Sequence, residues 1–364
     1  MSRRAAGPDY GLLALALSLL AFGTLMMCSA SAILADTQMH DPFYFIKRQA
    51  LWGILGLGAM AFFSRMDYNR LREWVWPALL ACLLALVLVL FTRPVAGVRR
   101  WIRLGPVGIQ PAEFAKLAVI LFLADYVDRK KSKVSSLLHG FIVPWAVVGL
   151  ILAFIGMEPD IGTPALLFSV GLLVLFVGGT RPSHMAGALA CALPVLVFEL
   201  LRYPYRRKRL MSFLDPFSQA QGSGYQLVQS LTAVGSGGWF GKGLGASQLK
   251  LMYLPAAHTD FIFPILCEEL GLLGSLGALA LFTLFLLRGV RIARNAPNLF
   301  GTLLAAGITF LLFLQSAFNV AMSIGLLPTK GLPLPFFSYG GSSLLVTLAS
   351  VGVLLNISRQ SGPA

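Results

Sequence analysis

Ten stretches of this chain are apolar and nearly uncharged. The first is Leu12–Leu34. The others lie at about Ala50–Phe63, Val75–Phe91, Phe114–Val127, Phe141–Gly156, Ile161–Val177, Met185–Leu201, Asp260–Leu287, Leu299–Gly325 and Leu344–Asn356. Water is absent from a bilayer core, so a crossing segment must satisfy its own backbone polar groups, and a helix of roughly 20 apolar residues does so. The runs are unbroken rather than alternating, which excludes a β-barrel. Charged residues make up 12% of the 364 residues, about half the share in soluble chains, which excludes a soluble enzyme with a polar surface. Disorder is excluded by the 57% hydrophobic content. The fold class that remains is an all-α polytopic membrane protein. It is read as a single integral membrane domain, 1–364, with about ten transmembrane helices and one long extracytoplasmic loop at about 202–257.

The first run follows Arg3 and Arg4 and ends near Ser-Ala-Ser-Ala. It exceeds the 7–15 apolar residues of a signal sequence, so it is read as an uncleaved span. An even number of spans puts both termini on one side. The short-loop cluster Asp128-Arg-Lys-Lys-Ser-Lys133 marks that side as cytoplasmic, since the positive-inside rule counts short loops. Both termini are therefore expected in the cytoplasm. The four cysteines (Cys28, Cys82, Cys191 and Cys267) lie in apolar runs without CxxC spacing and are read as inert core thiols.

The formal net charge is +14, from 29 basic and 15 acidic residues. In so apolar a chain this points to membrane lipids or an anionic substrate and not to nucleic acid. Much of the basic charge on the outer side lies in two segments, Arg93–Lys116 and Arg202–Lys250. That placement runs against the topological bias. It suits either an anionic headgroup site or ordinary acidic lipids.

Five motifs carry candidate chemistry. In the first, Arg99, Arg100 and Arg103 offer guanidinium forks that suit phosphate, and Trp101 fits a headgroup-level position, or an interfacial anchor. Pro111 suits the first turn of the next span, where Glu113 and Lys116 share a face. In the second, Glu158-Pro-Asp160 forms a short turn with Asp160 as a helix cap. The third is the long loop, with Arg206-Arg-Lys-Arg209 and a Gly-rich run from Gly235 to Gly245. That run lacks the Gly-Lys-Ser/Thr ending of a nucleotide loop, so its glycines are read as close approach or sharp bends. Tyr225, Gln226 and Gln229 suit one helical face.

The fourth motif is His258-Thr259-Asp260 at the start of a long span, with Glu268 and Glu269 deeper. Ionisable residues at membrane depth are rare and functional. Asp260 is expected to stay ionised at the helix N-terminus, as a proton acceptor or an N-cap. Glu268 and Glu269 must find buried basic or polar partners. The fifth runs from Gly325 to Ser343 with three prolines. Irregular backbone at membrane depth lines a cavity or is buried, so this Pro/Gly-rich piece is read as re-entrant, with Lys330 in a polar pocket.

Together Arg99-Arg-Trp-Ile102, Gln110-Pro-Ala-Glu113, Glu158-Pro-Asp-Ile-Gly-Thr163, His258-Thr-Asp-Phe-Ile-Phe263 with Glu268-Glu269-Leu-Gly271, and Pro328 to Ser343 resemble the SEDS family (FtsW, RodA and SpoVE) over most of the chain. The Pro328–Pro335 stretch looks like the division type. The resemblance implies a peptidoglycan glycosyltransferase that polymerises lipid II at the outer membrane face, with inversion and undecaprenyl pyrophosphate as leaving group. The alternatives are a lipid II flippase and a non-catalytic division scaffold.

By the resemblance, Asp260 is the catalytic carboxylate. Arg99, Arg100, Trp101, Lys116, His258, Thr259, Lys330, Ser338 and Tyr339 are candidates for substrate binding, and Glu113, Asp160, Glu268 and Glu269 for support. No metal ligand is assigned; a divalent cation (Mg2+ or Mn2+) could share the pyrophosphate charge. The implied partners are a class B penicillin-binding protein (a monofunctional transpeptidase) and other divisome membrane proteins. Two departures from the family pattern stand out. Ala256 replaces a common acidic residue, and Pro264 is expected to kink the helix after Asp260.

Overall fold

The computed structural model describes residues 7–94, 98–105, 107–250 and 258–361. Arg3, Arg4, Gly97 and Ala256 lie outside them. The described residues form twelve α-helices and one small hairpin. In chain order these are α1 (Tyr10–Met39), α2 (Tyr44–Arg65), α3 (Val75–Leu90), β1 (Ile102–Leu104), β2 (Val107–Ile109), α4 (Pro111–Arg129), α5 (Val143–Met157) and α6 (Gly162–Val177). Then follow α7 (Pro182–Arg202), α8 (Pro204–Leu214), α9 (Tyr225–Ser236), α10 (Ile262–Arg294), α11 (Leu299–Ser323) and α12 (Gly341–Gln360).

Ten of these helices coincide with the ten apolar runs, and α8 and α9 belong to the long loop. Seven helical stretches are long and apolar enough to cross a membrane by length and composition alone. The other three of the ten are α2 and α4, which carry charges, and α6, which is short.

Local chemistry sets the helix ends. The Asp9 carboxylate accepts from Leu12 N at 2.9 Å and starts α1. Asn298 Oδ1 accepts from Gly301 N at 2.8 Å and starts α11. Pro111 opens α4, where a missing N–H costs nothing. Arg65, Arg129, Arg291, Arg294 and Arg359 stand in last turns, beside unpaired carbonyls.

One end of the bundle gathers both termini. Asp9 N donates to Ser358 Oγ at 3.0 Å, Tyr68 N donates to Asn356 Oδ1 at 3.0 Å, and Arg72 pairs with Asp128 at 2.6 Å. The opposite end gathers the hairpin, the α5–α6 turn, the long loop and the irregular segment 324–340. Asp160 holds the first turn of α6 from one residue before the cap position, Ile161: its carboxylate accepts from Thr163 N at 3.2 Å and Thr163 Oγ1 at 2.8 Å.

Burial separates the helices. In α12, 94% of the apolar window is enclosed and in α7 only 6%, so α12 is central and α7 lies at the periphery. Cys191 on α7 is accordingly exposed, unlike the core thiols Cys82 and Cys267. The sequence alone had suggested that all four cysteines were core residues. Tight packing replaces the hydrophobic effect inside lipid. Thus α2 and α12 meet where a Cβ on Gly352 would stand 2.5 Å from Met60 O.

The helix break falls at a different residue from the one expected. Pro264 sits in the first turn of α10 without interrupting it, and the break is at Gly271, with φ 67° and ψ −163°. Only glycine occupies that region readily. The orphaned backbone groups are taken up by the Gly-rich run of the long loop. Lys242 N and Gly243 N donate to Glu268 O and Glu269 O at 2.9 and 3.0 Å, and Gly238 O and Trp239 O accept from Leu272 N and Leu273 N at 2.9 and 3.1 Å. The glycines there serve close approach: a Cβ on Gly241 would lie 2.6 Å from Leu270 N.

Candidate active site

At the loop-gathering end, three polypeptide crossings meet around Asp260. The segment 258–261 enters from the long loop. Its backbone is clamped: Asn319 Nδ2 on α11 donates to Asp260 O at 2.8 Å and to Leu332 O at 2.7 Å. The irregular segment is tied on by Tyr339 N donating to His258 O at 2.9 Å and by Ser338 Oγ donating to Thr259 O. Ser338 Oγ also accepts from Leu334 N at 2.7 Å. Three prolines deny segment 324–340 a helical ladder, so side-chain and cross-segment bonds such as these hold it instead.

Asp260 does not cap α10. The cap position is Phe261, and no side chain bonds there. The carboxylate stands beside Arg100: a Cβ on Gly331 would lie 3.1 Å from Asp260 Oδ2 and 3.7 Å from Arg100 Nη1. Burial pushes the Asp260 carboxyl up to about 6, with Asp160 adding to the rise and Arg100 and Arg209 opposing it. Burial therefore outweighs the ionising pull expected of the helix end. A carboxylate so poised takes a proton near neutral pH better than an ordinary one.

Arg100 is fixed by the α5–α6 turn, its Nε donating to Glu158 O at 3.0 Å and its Nη2 to Pro159 O at 2.6 Å. Its neighbour Arg99 turns away, donating to Leu90 O at 2.9 Å. Of the four basic residues on α8, Arg209 reaches the irregular segment, donating to Thr329 O at 3.1 Å, while Arg206 is held by Glu199 at 2.5 Å. Lys330 lies within charge range of Asp160, and burial lowers its pKa. Arg100, Arg209 and Lys330 thus form the cationic side of the site.

Lys116 is placed elsewhere. It is buried between Glu113 at 2.7 Å and Gln315 Oε1 at 2.8 Å. Gln315 Nε2 then donates to Pro333 O at 2.8 Å. This chain carries Glu113 and Lys116 into the support of the irregular segment. Glu268 and Glu269 each have their own lysine. Glu268 meets Lys242 Nζ at 2.8 Å and Ser247 Oγ at 2.5 Å, and Glu269 meets Lys250 Nζ at 2.8 Å and Ser29 Oγ at 2.7 Å. Three of these bonds tie the long loop to α10, and the Ser29 bond ties α1 to it.

His258, Thr259, Trp101 and Tyr339 line a cavity of about 570 Å³ on the neighbouring face. The His258 ring sits 4.8 Å from Phe45, and burial lowers its pKa to about 4, so it is neutral at pH 7. A residue that sequence reasoning missed as a functional group is Glu158. Both of its side-chain oxygens are buried without a hydrogen-bond partner among the described residues. Burial first, and Asp160 second, push it up to about 8. No sequence pattern distinguishes it from an exposed turn glutamate.

Comparison with known proteins gives the family of the chain. The chain is 43% identical over 355 residues to a probable peptidoglycan glycosyltransferase FtsW of Geobacter metallireducens, covering 97% of this chain and 95% of that protein. It is 43% identical over 366 residues to the stage V sporulation protein E of Bacillus subtilis, covering 99% and 100%. The fold matches a chain of the structure described as "Structural coordination of polymerization and crosslinking by a peptidoglycan synthase complex", with TM-score 0.79, 29% identity and coverage of 97% and 98%. It also matches the rod shape determining protein RodA of Thermus thermophilus, with TM-score 0.73, 28% identity and 98% of each chain covered. The sequence model of the cell cycle protein family FtsW/RodA/SpoVE spans residues 10–362, and the chain belongs to that family.

Proposed function

We propose that this multi-pass membrane protein is a division-type peptidoglycan glycosyltransferase that polymerises lipid II. The observation that carries the reading is Asp260, a carboxylate with a raised pKa set against a side of cationic groups at one end of the bundle. That end faces the cell exterior, and both termini face the cytoplasm. The division-type assignment is supported by the FtsW-named relatives at 43% identity, against 28% for RodA.

In the reaction an acceptor sugar hydroxyl attacks the anomeric carbon of a donor sugar from the face opposite its pyrophosphate. The new glycosidic C–O bond forms as the bond to the lipid pyrophosphate breaks, with inversion. Asp260 receives the hydroxyl proton, a role worth about 10²–10⁴-fold. Arg100, Arg209 and Lys330 receive the charge that builds on the leaving pyrophosphate. Trp101, His258, Thr259 and Tyr339 border the sugars, Ser338 fixes the Thr259 carbonyl, and Arg99 contacts substrate only from the exposed rim. Lys116, Glu113, Asp160, Glu268 and Glu269 hold the surrounding backbone.

No resident-metal site is proposed. Among the described residues no three His, Cys, Asp or Glu side chains converge, and the anion is met by guanidinium and ammonium groups. A class B penicillin-binding protein is the proposed partner, consistent with a structural neighbour from a peptidoglycan synthase complex.

The test is a purified Asp260→Asn variant given lipid II beside the unaltered chain. Polymerisation should fall by about 10²-fold or more. Polymer formed at the unaltered rate would remove Asp260 from the role.

A further inference from the structure

Part of the lining of the 570 Å³ cavity beside Asp260, on α2 and at Arg103, is not used by the catalytic reading. Four of its residues come from the first part of α2: Tyr44, Arg48, Leu51 and Trp52. Trp101 and Arg103 come from the hairpin and Tyr339 from the irregular segment. None of the α2 residues, nor Arg103, takes part in the site around Asp260.

Two chain crossings form a wall shared by the site and the cavity. In one, Arg100 bonds the α5–α6 turn beside Asp260, while the next residue, Trp101, lines the cavity. In the other, His258 and Thr259 line the cavity and Asp260 follows directly. Consecutive Cα atoms are about 3.8 Å apart. The cavity therefore opens within one residue of the proposed base.

The lining has the chemistry of a saccharide site. Tyr44, Trp52, Trp101 and Tyr339 supply flat apolar faces for the C–H face of a pyranose ring. Their phenol and indole groups add hydrogen-bonding edges. The Arg48 guanidinium stands 4.5 Å over the Tyr44 ring and bonds Tyr339, so it is held in place. Arg103 is exposed on the hairpin. The two arginines offer forks for phosphate or carboxylate. Pockets for small ligands range over about 300–1,000 Å³, and this one suits a sugar unit better than a single ion. Glycine at 341 leaves room for Trp52, whose ring a Cβ there would overlap.

Glycan polymerisation needs two lipid-linked saccharides at once, and each carries anionic charge. Arg100, Arg209 and Lys330 account for one. We propose that the Tyr44–Arg48–Trp52 cavity is the second saccharide subsite, binding the sugar of the other lipid pyrophosphate by ring stacking, with its acidic group on Arg48 and Arg103. The assignment rests on the polymerase reading above and deepens it.

The test is equilibrium titration of fluorescent lipid II onto the full-length Asp260→Asn chain in nanodiscs, where turnover does not obscure occupancy. Two binding phases are expected. Trp52→Leu, Arg48→Ala and the exposed-site variant Arg103→Ala should each weaken one phase about tenfold and leave the other intact. Trp52→Phe and Arg48→Lys should restore most of it. Thermal melting identifies any variant that fails to fold; Arg103→Ala, on the surface, keeps the test decisive. Competition separates two sources of the anion. The soluble N-acetylglucosamine–N-acetylmuramic acid disaccharide should displace the sensitive phase, and phosphatidylglycerol vesicles should not. Unchanged phases in folded Arg103→Ala and Trp52→Leu would overturn the proposal, as would displacement by phosphatidylglycerol alone. Polymer made by the Asp260→Asn parent would count against the base and not against the subsite, since the titration reads occupancy.

Discussion

Replacing Gly271 by alanine tests the helix break directly. The residue holds φ 67° and ψ −163°, a region that costs any other residue about 1–3 kcal/mol. The added Cβ would also stand 2.7 Å from Phe240 N and from Trp239 C, so the inserted loop must retreat. Retreat endangers the four backbone bonds made by Lys242, Gly243, Leu272 and Leu273. At about 1 kcal/mol net each, their loss brings the total to about 5–7 kcal/mol. The assay is thermal unfolding of the purified chain in nanodiscs. At about 2 °C per kcal/mol, the midpoint should fall by roughly 10 °C or more. Hydrogen exchange at those four amides should quicken. The control is Gly277→Ala, where nothing lies within 4 Å of the new Cβ; in a helix interior it should be neutral or stabilising by up to about 1 kcal/mol. A Gly271→Ala midpoint within a degree of the unaltered chain, with the four amides still protected, would refute the account of the break.

Three further outcomes are expected. Lys250→Met should cost about 3–5 kcal/mol by leaving the Glu269 charge buried and unpaired, and adding Glu269→Met should recover most of that, as a double-mutant cycle of unfolding would show. Polymerising activity should fall below about pH 6 as Asp260 takes up its proton. Arg100→Gln should move that limb to higher pH, because the guanidinium it removes favours the charged carboxylate; a profile that does not move would sever the two residues. Glu158 is raised to about 8, against about 4.3 unfolded. The folded chain therefore keeps a proton that the unfolded chain has lost, and stability drains as pH rises between those values. The melting point of Glu158→Gln relative to the parent should accordingly be more favourable at pH 8 than at pH 5.

The spans were legible because the bilayer imposes one length and one composition on each. The Gly-rich run was legible as a place of close approach, but its target is a carbonyl 26 residues away in Glu268, which no local pattern encodes. Arg99 and Arg100 are indistinguishable by type and adjacent in sequence. The hairpin and the α5–α6 turn decide which of them reaches Asp260. The rise in the Asp260 pKa was not legible from sequence for a related reason: a helix start argues for a lower value, whereas the enclosure contributed by segment 324–340 argues for a higher one, and enclosure is a tertiary property. Tyr44, Arg48 and Trp52 lay inside or beside a run read as membrane span. Their shared wall with Trp101 appears only once α2 and the hairpin are brought together.

The splice at Gly271 joins main chain to main chain, so its fit depends on spacing more than on which side chains its non-glycine positions carry. Residues 238–243 can drift in identity outside their glycines, yet one residue inserted or deleted there would slide every donor past its acceptor. Changes of length in the long loop are therefore confined to either side of this stitch. The loop's far portions can be remodelled while its hold on the span below Asp260 stays in register.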